Sequence, residues 1–281
     1  MSVFDDKVSI GYWTTRGLGA PLRMMAAYAA ATKGAEYNNI YHDMAETPER
    51  KAGTADPADF NANWADDGWE DTKSALVAKN PLANLPYVLD GEKVISQSLA
   101  CLVYLGEKWG LMGADPSLTL QILTEIKLDG HVGSLYTCEN QEAVLGLLNK
   151  TQNTTSFAKL EALFTMNVEA GKTGPFLLGA AEPTCADFTL WEDLDLLFEM
   201  AKYCGRIQVP LTGPRFEGLK AMYKAMNAIP CIAEYRTSAA GKLPCTNKCA
   251  NFGASPDFGP WIVGQETSWC SAEALGVAKV L

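Results

Sequence analysis

The chain has 281 residues, 48% hydrophobic and 20% charged, enough for roughly two domains with buried cores. Its 23 Lys and Arg against 33 Asp and Glu leave a net charge of −10, which disfavours a general nucleic-acid or anionic-membrane binder. No window approaches the ~20 unbroken apolar residues of a membrane span, and Asp5 and Asp6 stand where an export signal would be basic, so a cytoplasmic chain is expected.

Lys7 to Trp13 predicts a short strand, in which Val8, Ile10 and Tyr12 alternate with smaller residues. Leu22, Met25, Ala26, Ala29 and Ala30 then recur at helical spacing, with Pro21 in the first turn and Gly34 past the end. A weaker strand follows over Glu36 to His42. From Glu36 to Asp71 ten acids face only Arg50 and Lys51, with Pro and Gly interspersed and no clean period. This stretch is expected to be mostly an extended surface loop. Leu85 to Leu89 and Lys93 to Ile95, joined at Asp90-Gly91, predict a hairpin, and a helix opens at Ser96-Gln97-Ser98 and stops at Gly110. Beyond Gly113 only helices are predicted: Leu118 to Tyr136, Glu142 to Leu148, Phe157 to Ala170, Ala186 to Tyr203 and Phe216 to Met226. The fold class is therefore α/β plus all-α, with a small sheet domain over residues 1–112 and a helical domain over 113–240.

Residues 241–281 are rich in Gly and Pro and hold Phe252, Phe258, Trp261 and Trp269, which predict irregular coil anchored on the helical domain rather than a free tail. The eight cysteines lack Cys-x-x-Cys spacing, and His42 and His131 stand at no ligand spacing from them, so reduced thiols and no metal site are expected.

Gly11-Tyr12-Trp13-x-x-Arg16-Gly17-Leu18 resembles the opening of mu-class-type glutathione transferases, and later motifs agree in order. Trp69-x-x-x-Lys73, Asn84-Leu85-Pro86-Tyr87 and Gln97-Ser98 resemble the family's tripeptide site. Thr184-Cys185-Ala186-Asp187-Phe188 resembles its buried helix-capping segment. The match runs over about residues 7–237, leaving the acidic insertion and the tail outside it. It implies a thioredoxin-like domain followed by the all-helical domain of that family, glutathione as cosubstrate, a detoxification role and a homodimer.

The same resemblance implies roles for the matched residues. Tyr12 would donate a hydrogen bond that favours the thiolate of glutathione, whose free pKa is about 8.5. Leu85, ahead of a cis Pro86, would pair by its backbone with the cysteinyl unit, beside Asn84. Gln97 and Ser98 would hold the γ-glutamyl end, and Trp69 and Lys73 the glycyl carboxylate. Asp129 is the nearest match to a carboxylate that the family supplies from the partner subunit. Trp13 and Leu18, beside the tripeptide, would form with Tyr136 an apolar shelf for a small hydrophobic electrophile. The family's arginine three residues before the tryptophan is Asp66 here, which implies weaker glutathione binding. Two alternatives stand beside conjugation. One is a non-catalytic scaffold subunit, docking a protein through the acidic loop 43–71 or the C-terminal extension; the other is a sigma-like glutathione-dependent isomerase.

Overall fold

Strand β1 (Val8–Trp13) is the organising element of the computed structural model, which describes residues 7–56, 59–66, 68–138, 143–144, 146–147, 155–203, 216–247 and 249–250. It lies between β2 (Tyr37–His42), parallel to it, and β5 (Tyr87–Asp90), antiparallel, with β6 (Lys93–Ser96) beyond in the order β2-β1-β5-β6. A central strand is covered on both faces, so five of its six residues are buried instead of alternating. Helix α1 (Ala20–Lys33) covers one face. It starts with Pro21 in its first turn and stops at Gly34, whose left-handed backbone lets its N–H reach Ala29 O.

The acidic stretch is not an extended loop. Met44–Glu46 (β3) pairs antiparallel with Trp64–Asp66 (β4), enclosing the short helices α2 (Pro48–Lys51) and α3 (Phe60–Asn63). Thr47 Oγ1 caps α2 by accepting the Arg50 N–H at 3.2 Å. The Arg50 guanidinium donates to Glu46 Oε1 and Asn63 Oδ1, both at 3.0 Å, and lies 4.4 Å from the Trp64 ring centre. One cation and one indole thus order a segment whose pattern carries no period. Helix α4 (Trp69–Val77) follows, and α5 (Ser98–Lys108) completes the sheet domain.

In the second domain the predicted helix 118–136 is two. Helix α6 (Pro116–Glu125) ends at Ile126, whose extended backbone (φ −68°, ψ 134°) redirects the chain into α7 (Leu128–Thr137). The remaining described helices are α8 (Thr155–Glu169), α9 (Cys185–Tyr203), α10 (Glu217–Asn227) and α11 (Pro230–Thr237). The last was not legible in the sequence; within the predicted helix 142–148 the described residues, 143, 144, 146 and 147, are helical. Helix α9 is the core of this domain and packs on α1, α6, α7 and α10. Its start is fixed by Asp187, fully buried, whose carboxylate accepts from Leu177 N, Thr184 N and Thr184 Oγ1, each at 2.8 Å. Asp187→Ala would strand three buried donors, and a loss of about 3 kcal/mol is expected in urea unfolding, with the denaturant slope unchanged.

The described part of the C-terminal extension packs on the first domain as well as the second. The Pro244 and Cys245 carbonyls accept the Arg16 and Gly17 N–H groups at 2.7 and 3.0 Å. Cys245 is buried and Cys249 half-buried, both as free thiols. Phe252, Phe258, Trp261 and Trp269 lie outside the described residues. Among the described residues no helix is long and apolar enough to cross a membrane, and no group of three or more His, Cys, Asp or Glu could hold a metal.

Candidate active site

At the C-terminal end of β1 the chain turns through Thr14–Arg16 into a single 3-10 turn, Gly17–Gly19, that leads into α1. Tyr12 folds its ring back under this turn and is 6% exposed. The close approach demands glycine. A Cβ at Gly19 would stand 2.5 Å from the Tyr12 ring, and one at Gly17, whose φ is +37°, 2.8 Å from the hydroxyl. Gly19→Ala is accordingly expected to keep the fold but displace the ring. Under the tyrosine mechanism that the resemblance implies, this would cost roughly 10²-fold in thiol activation, read by thiolate absorbance of bound glutathione and by steady-state rate.

Burial pushes the Tyr12 phenol up to about 12; the Leu18 N–H hydrogen bond and the Arg23 cation pull the other way, and Asp129 adds to the rise. The hydroxyl is therefore protonated at neutral pH. Among the described residues no acceptor engages its O–H. Arg23 is fully buried under the same turn, donating to Thr15 O at 2.6 Å and Trp13 O at 2.9 Å, with its guanidinium 5.9 Å from the Tyr12 ring centre. These bonds fix the backbone that leads from β1 into the turn.

Beside Tyr12 the two domains leave a cleft of about 210 Å³, lined among others by Leu18, Ser98, Leu99, Leu128 and Asp129. Ser98 opens α5 there, with free backbone N–H groups in its first turn. Gln97, exposed, precedes it with φ 76° and ψ 129°, the one described non-glycine residue at positive φ, a strained backbone of the kind that collects at binding sites. Asp129, exposed at the start of α7, lies in this cleft with Ser98 of its own chain. The Leu85–Pro86 bond is cis. The neighbouring backbone is tied by Ser96 Oγ, which accepts from Asn84 N and donates to Asn84 O, both at 2.8 Å. The Leu85 N–H donates to Asn84 Oδ1 at 2.9 Å.

A second group of predicted residues gathers around Trp13, at the same C-terminal end of β1. Trp69 is buried and stacked on Tyr87, ring centres 6.0 Å apart, with Trp13 edge-on at 6.3 Å and His42 at 5.0 Å. His42 Nε2 lies 3.0 Å from the Tyr87 hydroxyl; burial lowers its pKa against the pull of Asp66. Trp13 thus joins Trp69, while Leu18 faces the interdomain cleft. Lys73, one helical turn after Trp69, is half-exposed and 3.7 Å from Glu70 Oε1. Tyr136, half-buried on α7, is within electrostatic reach of Tyr12 and Cys249, and the Asn247 backbone N–H opposes the rise that burial causes in its pKa, so the C-terminal extension reaches this side.

Sequence reasoning missed three supports of the site: Arg23, Asn247 and Arg16, whose guanidinium donates to Glu192 and Asp195 in the second domain. Arg23 sits in an apolar helix pattern with nothing to mark it as buried. Asn247 belongs to a segment with no periodicity.

The chain matches two domain models of one family, described as glutathione S-transferase, N-terminal domain, over residues 65–107, and glutathione S-transferase, C-terminal domain, over residues 132–239. Together they span more than half of the chain. It is 27% identical over 241 residues to glutathione S-transferase Mu 1 of Oryctolagus cuniculus, covering 83% of this chain and 91% of that one. It is 26% identical over 241 residues to a glutathione S-transferase of Tyrophagus putrescentiae, covering 85% and 94%, and 25% identical over 256 residues to human glutathione S-transferase Mu 3, covering 90% and 98%. The fold is shared with the crystal structure of the glutathione S-transferase Blo t 8, at a TM-score of 0.59 and 19% identity over 87% of this chain and 99% of that one. The chain therefore belongs to the glutathione S-transferase family, with mu-class members among its relatives.

Proposed function

We propose that this protein is a cytosolic transferase that ionises glutathione against Tyr12 and delivers the thiolate to a small hydrophobic electrophile. The observation that carries the reading is a buried, protonated phenol, held by Gly17, Gly19, Leu18 and Arg23, whose O–H is left to donate. A thiolate accepting that bond is stabilised relative to the thiol, and the thiolate is the nucleophile. The γ-glutamyl end would meet Ser98 and the strained Gln97. The cysteinyl unit would lie along Leu85, and the glycyl end would face Trp69 and Lys73. Leu18, Tyr136 and the Pro244–Asn247 segment would wall the electrophile. Bond formation then runs from thiolate sulfur to the electrophilic carbon, with the leaving group or a proton completing the substitution or addition. Titration of the purified protein with glutathione, followed by ultraviolet thiolate absorbance near neutral pH, tests it. Bound but un-ionised glutathione would refute the tyrosine mechanism.

A homodimer is part of this proposal. Leu82, in the loop between α4 and β5, is 73% exposed, and between α6 and α8 lies an apolar groove of about 410 Å³ lined by Leu118, Ile122, Leu160, Leu163 and Met166. A two-fold pairing that seats each Leu82 in its partner's groove would bury both. Leu82→Glu is expected to shift sedimentation from dimer to monomer at micromolar concentration; an unchanged dimer would place the interface elsewhere.

A further inference from the structure

Arg23 is fully buried in α1, and among the described residues no carboxylate pairs with it. Glu192 on α9, whose charge reaches it, gives both its oxygens to Arg16. The terminal nitrogens of Arg23 donate to Thr15 O and Trp13 O, while Nε is buried without a partner. The other titratable groups that face it are phenols: Tyr12 on β1, Tyr41 on β2 and Tyr235 on α11. Its guanidinium stands 4.7 Å from the Tyr41 ring centre and 5.9 Å from that of Tyr12. Tyr12 is faced in turn by Asp129 and Tyr136 from α7.

A buried cation without a counter-ion of its own is costly, and two backbone carbonyls need only neutral donors. The charge is therefore the part of Arg23 that the fold does not explain. Burial lowers its pKa from the ordinary arginine value, but a guanidinium keeps its proton at neutral pH. Its field crosses protein rather than water to reach the phenol, so it is weakly screened there, and a cation drawn to the ring leaves the O–H a stronger donor. Asp129 works against it from the cleft. We propose, resting on the tyrosine reading above, that Arg23 is a positioning residue that acts by its charge: the buried cation polarises the Tyr12 O–H and so strengthens the bond donated to the glutathione thiolate.

The test follows the thiolate absorbance of bound glutathione against pH in Arg23→Gln and Arg23→Lys, with S-methylglutathione, which has no thiol to ionise, as the probe of an intact tripeptide site. Arg23→Gln keeps a donor and loses the charge; its midpoint is expected about one pH unit above that of the unmodified protein, about ten-fold less thiolate below the midpoint. Arg23→Lys keeps the charge and should recover most of that shift, while both variants bind S-methylglutathione as the unmodified protein does. On a Tyr12→Phe background Arg23→Gln should add little, because the phenol that carries the effect is gone. The proposal is overturned by an unmoved midpoint in Arg23→Gln, by an Arg23→Lys variant that binds S-methylglutathione yet titrates like Arg23→Gln, or by Arg23→Gln and Tyr12→Phe shifts that simply add. Each of these leaves the tyrosine reading standing. If Arg23→Gln misfolds and loses S-methylglutathione, Arg23→Lys decides: a midpoint near that of the unmodified protein supports the charge, and a raised one refutes it. Loss of S-methylglutathione in Arg23→Lys as well would show that the site needs the guanidinium fork rather than its charge, which also overturns the proposal. A Tyr12→Phe midpoint equal to the unmodified one overturns both readings.

Discussion

Tyr12→Phe is expected to abolish the ionisation of bound glutathione near neutral pH and to lower the conjugation rate on the order of 10²-fold, the usual cost of one donor aimed at developing or resident negative charge. The phenol's own pKa, pushed up to about 12 by burial, gives the sign. From about pH 5 to about pH 9 Tyr12 stays protonated, so the group that titrates in this window is the thiol, favoured as thiolate by the phenol's donated bond. In the unmodified protein the rate should rise through a midpoint below the free thiol's ~8.5 and then level off. In the Phe variant the midpoint should return toward ~8.5, so that the deficit narrows at high pH. Glutathione affinity should change far less than rate, because Ser98, Gln97 and Leu85 are untouched. A rate unchanged in Tyr12→Phe across this range would remove Tyr12 from the mechanism. A deficit independent of pH would mean that Tyr12 positions the thiol without setting its ionisation.

Arg16→Met is expected to be the most destabilising single change, about 3–5 kcal/mol in urea unfolding. Arg16 leaves the first domain just after β1 and ends inside the second. Its Nε and Nη2 donate to the two Glu192 oxygens at 3.0 and 2.9 Å, and Nη2 also to Asp195 Oδ2 at 2.5 Å. Burial works against its charge, but Glu192 and Asp195 outweigh that and hold its pKa well above the ordinary arginine value. Asp195 accepts in addition from the Tyr223 hydroxyl at 2.5 Å, and Tyr223 stacks on Trp191. Removing the guanidinium leaves Glu192 buried without its cation beside Asp195, which keeps only Arg236 as a cation, at 3.6 Å, and that under-compensated charge dominates the loss. The triple change Arg16→Met, Glu192→Met, Asp195→Leu should therefore recover most of the stability. It should not recover activity, since the turn that holds Tyr12 would still have lost its side-chain anchor. Equal stability of single and triple variants would contradict this account. Because the cluster is buried, the effect should barely respond to salt.

The strands, α1, the hairpin and the long helices were legible because each carries its own period and punctuation, as in Pro21 and Gly34 around α1. The candidate site could be proposed from the sequence because Tyr12, Leu85-Pro86 and Gln97-Ser98 are local motifs at element boundaries. What escaped depends on partners distant in sequence. The β3–β4 pair is fixed by Arg50 on Trp64, α6 and α7 part at one extended residue, and Arg16 finds Glu192 and Asp195 some 180 residues later. The extension's additional contacts with the first domain were not foreseen for the same reason. Among the described residues they are made by the backbone carbonyls of Pro244 and Cys245, which no side-chain pattern announces.

Those carbonyls also set an order of assembly. The Arg16 and Gly17 N–H groups that shape the turn over Tyr12 wait for Pro244 and Cys245. During synthesis the sheet domain emerges first, yet the loop that grips its phenol has no acceptors until nearly the whole chain has been made. Nascent chains halted at the domain junction should thus be compact but unable to ionise a thiol, and competence should arrive only with the last-made strap.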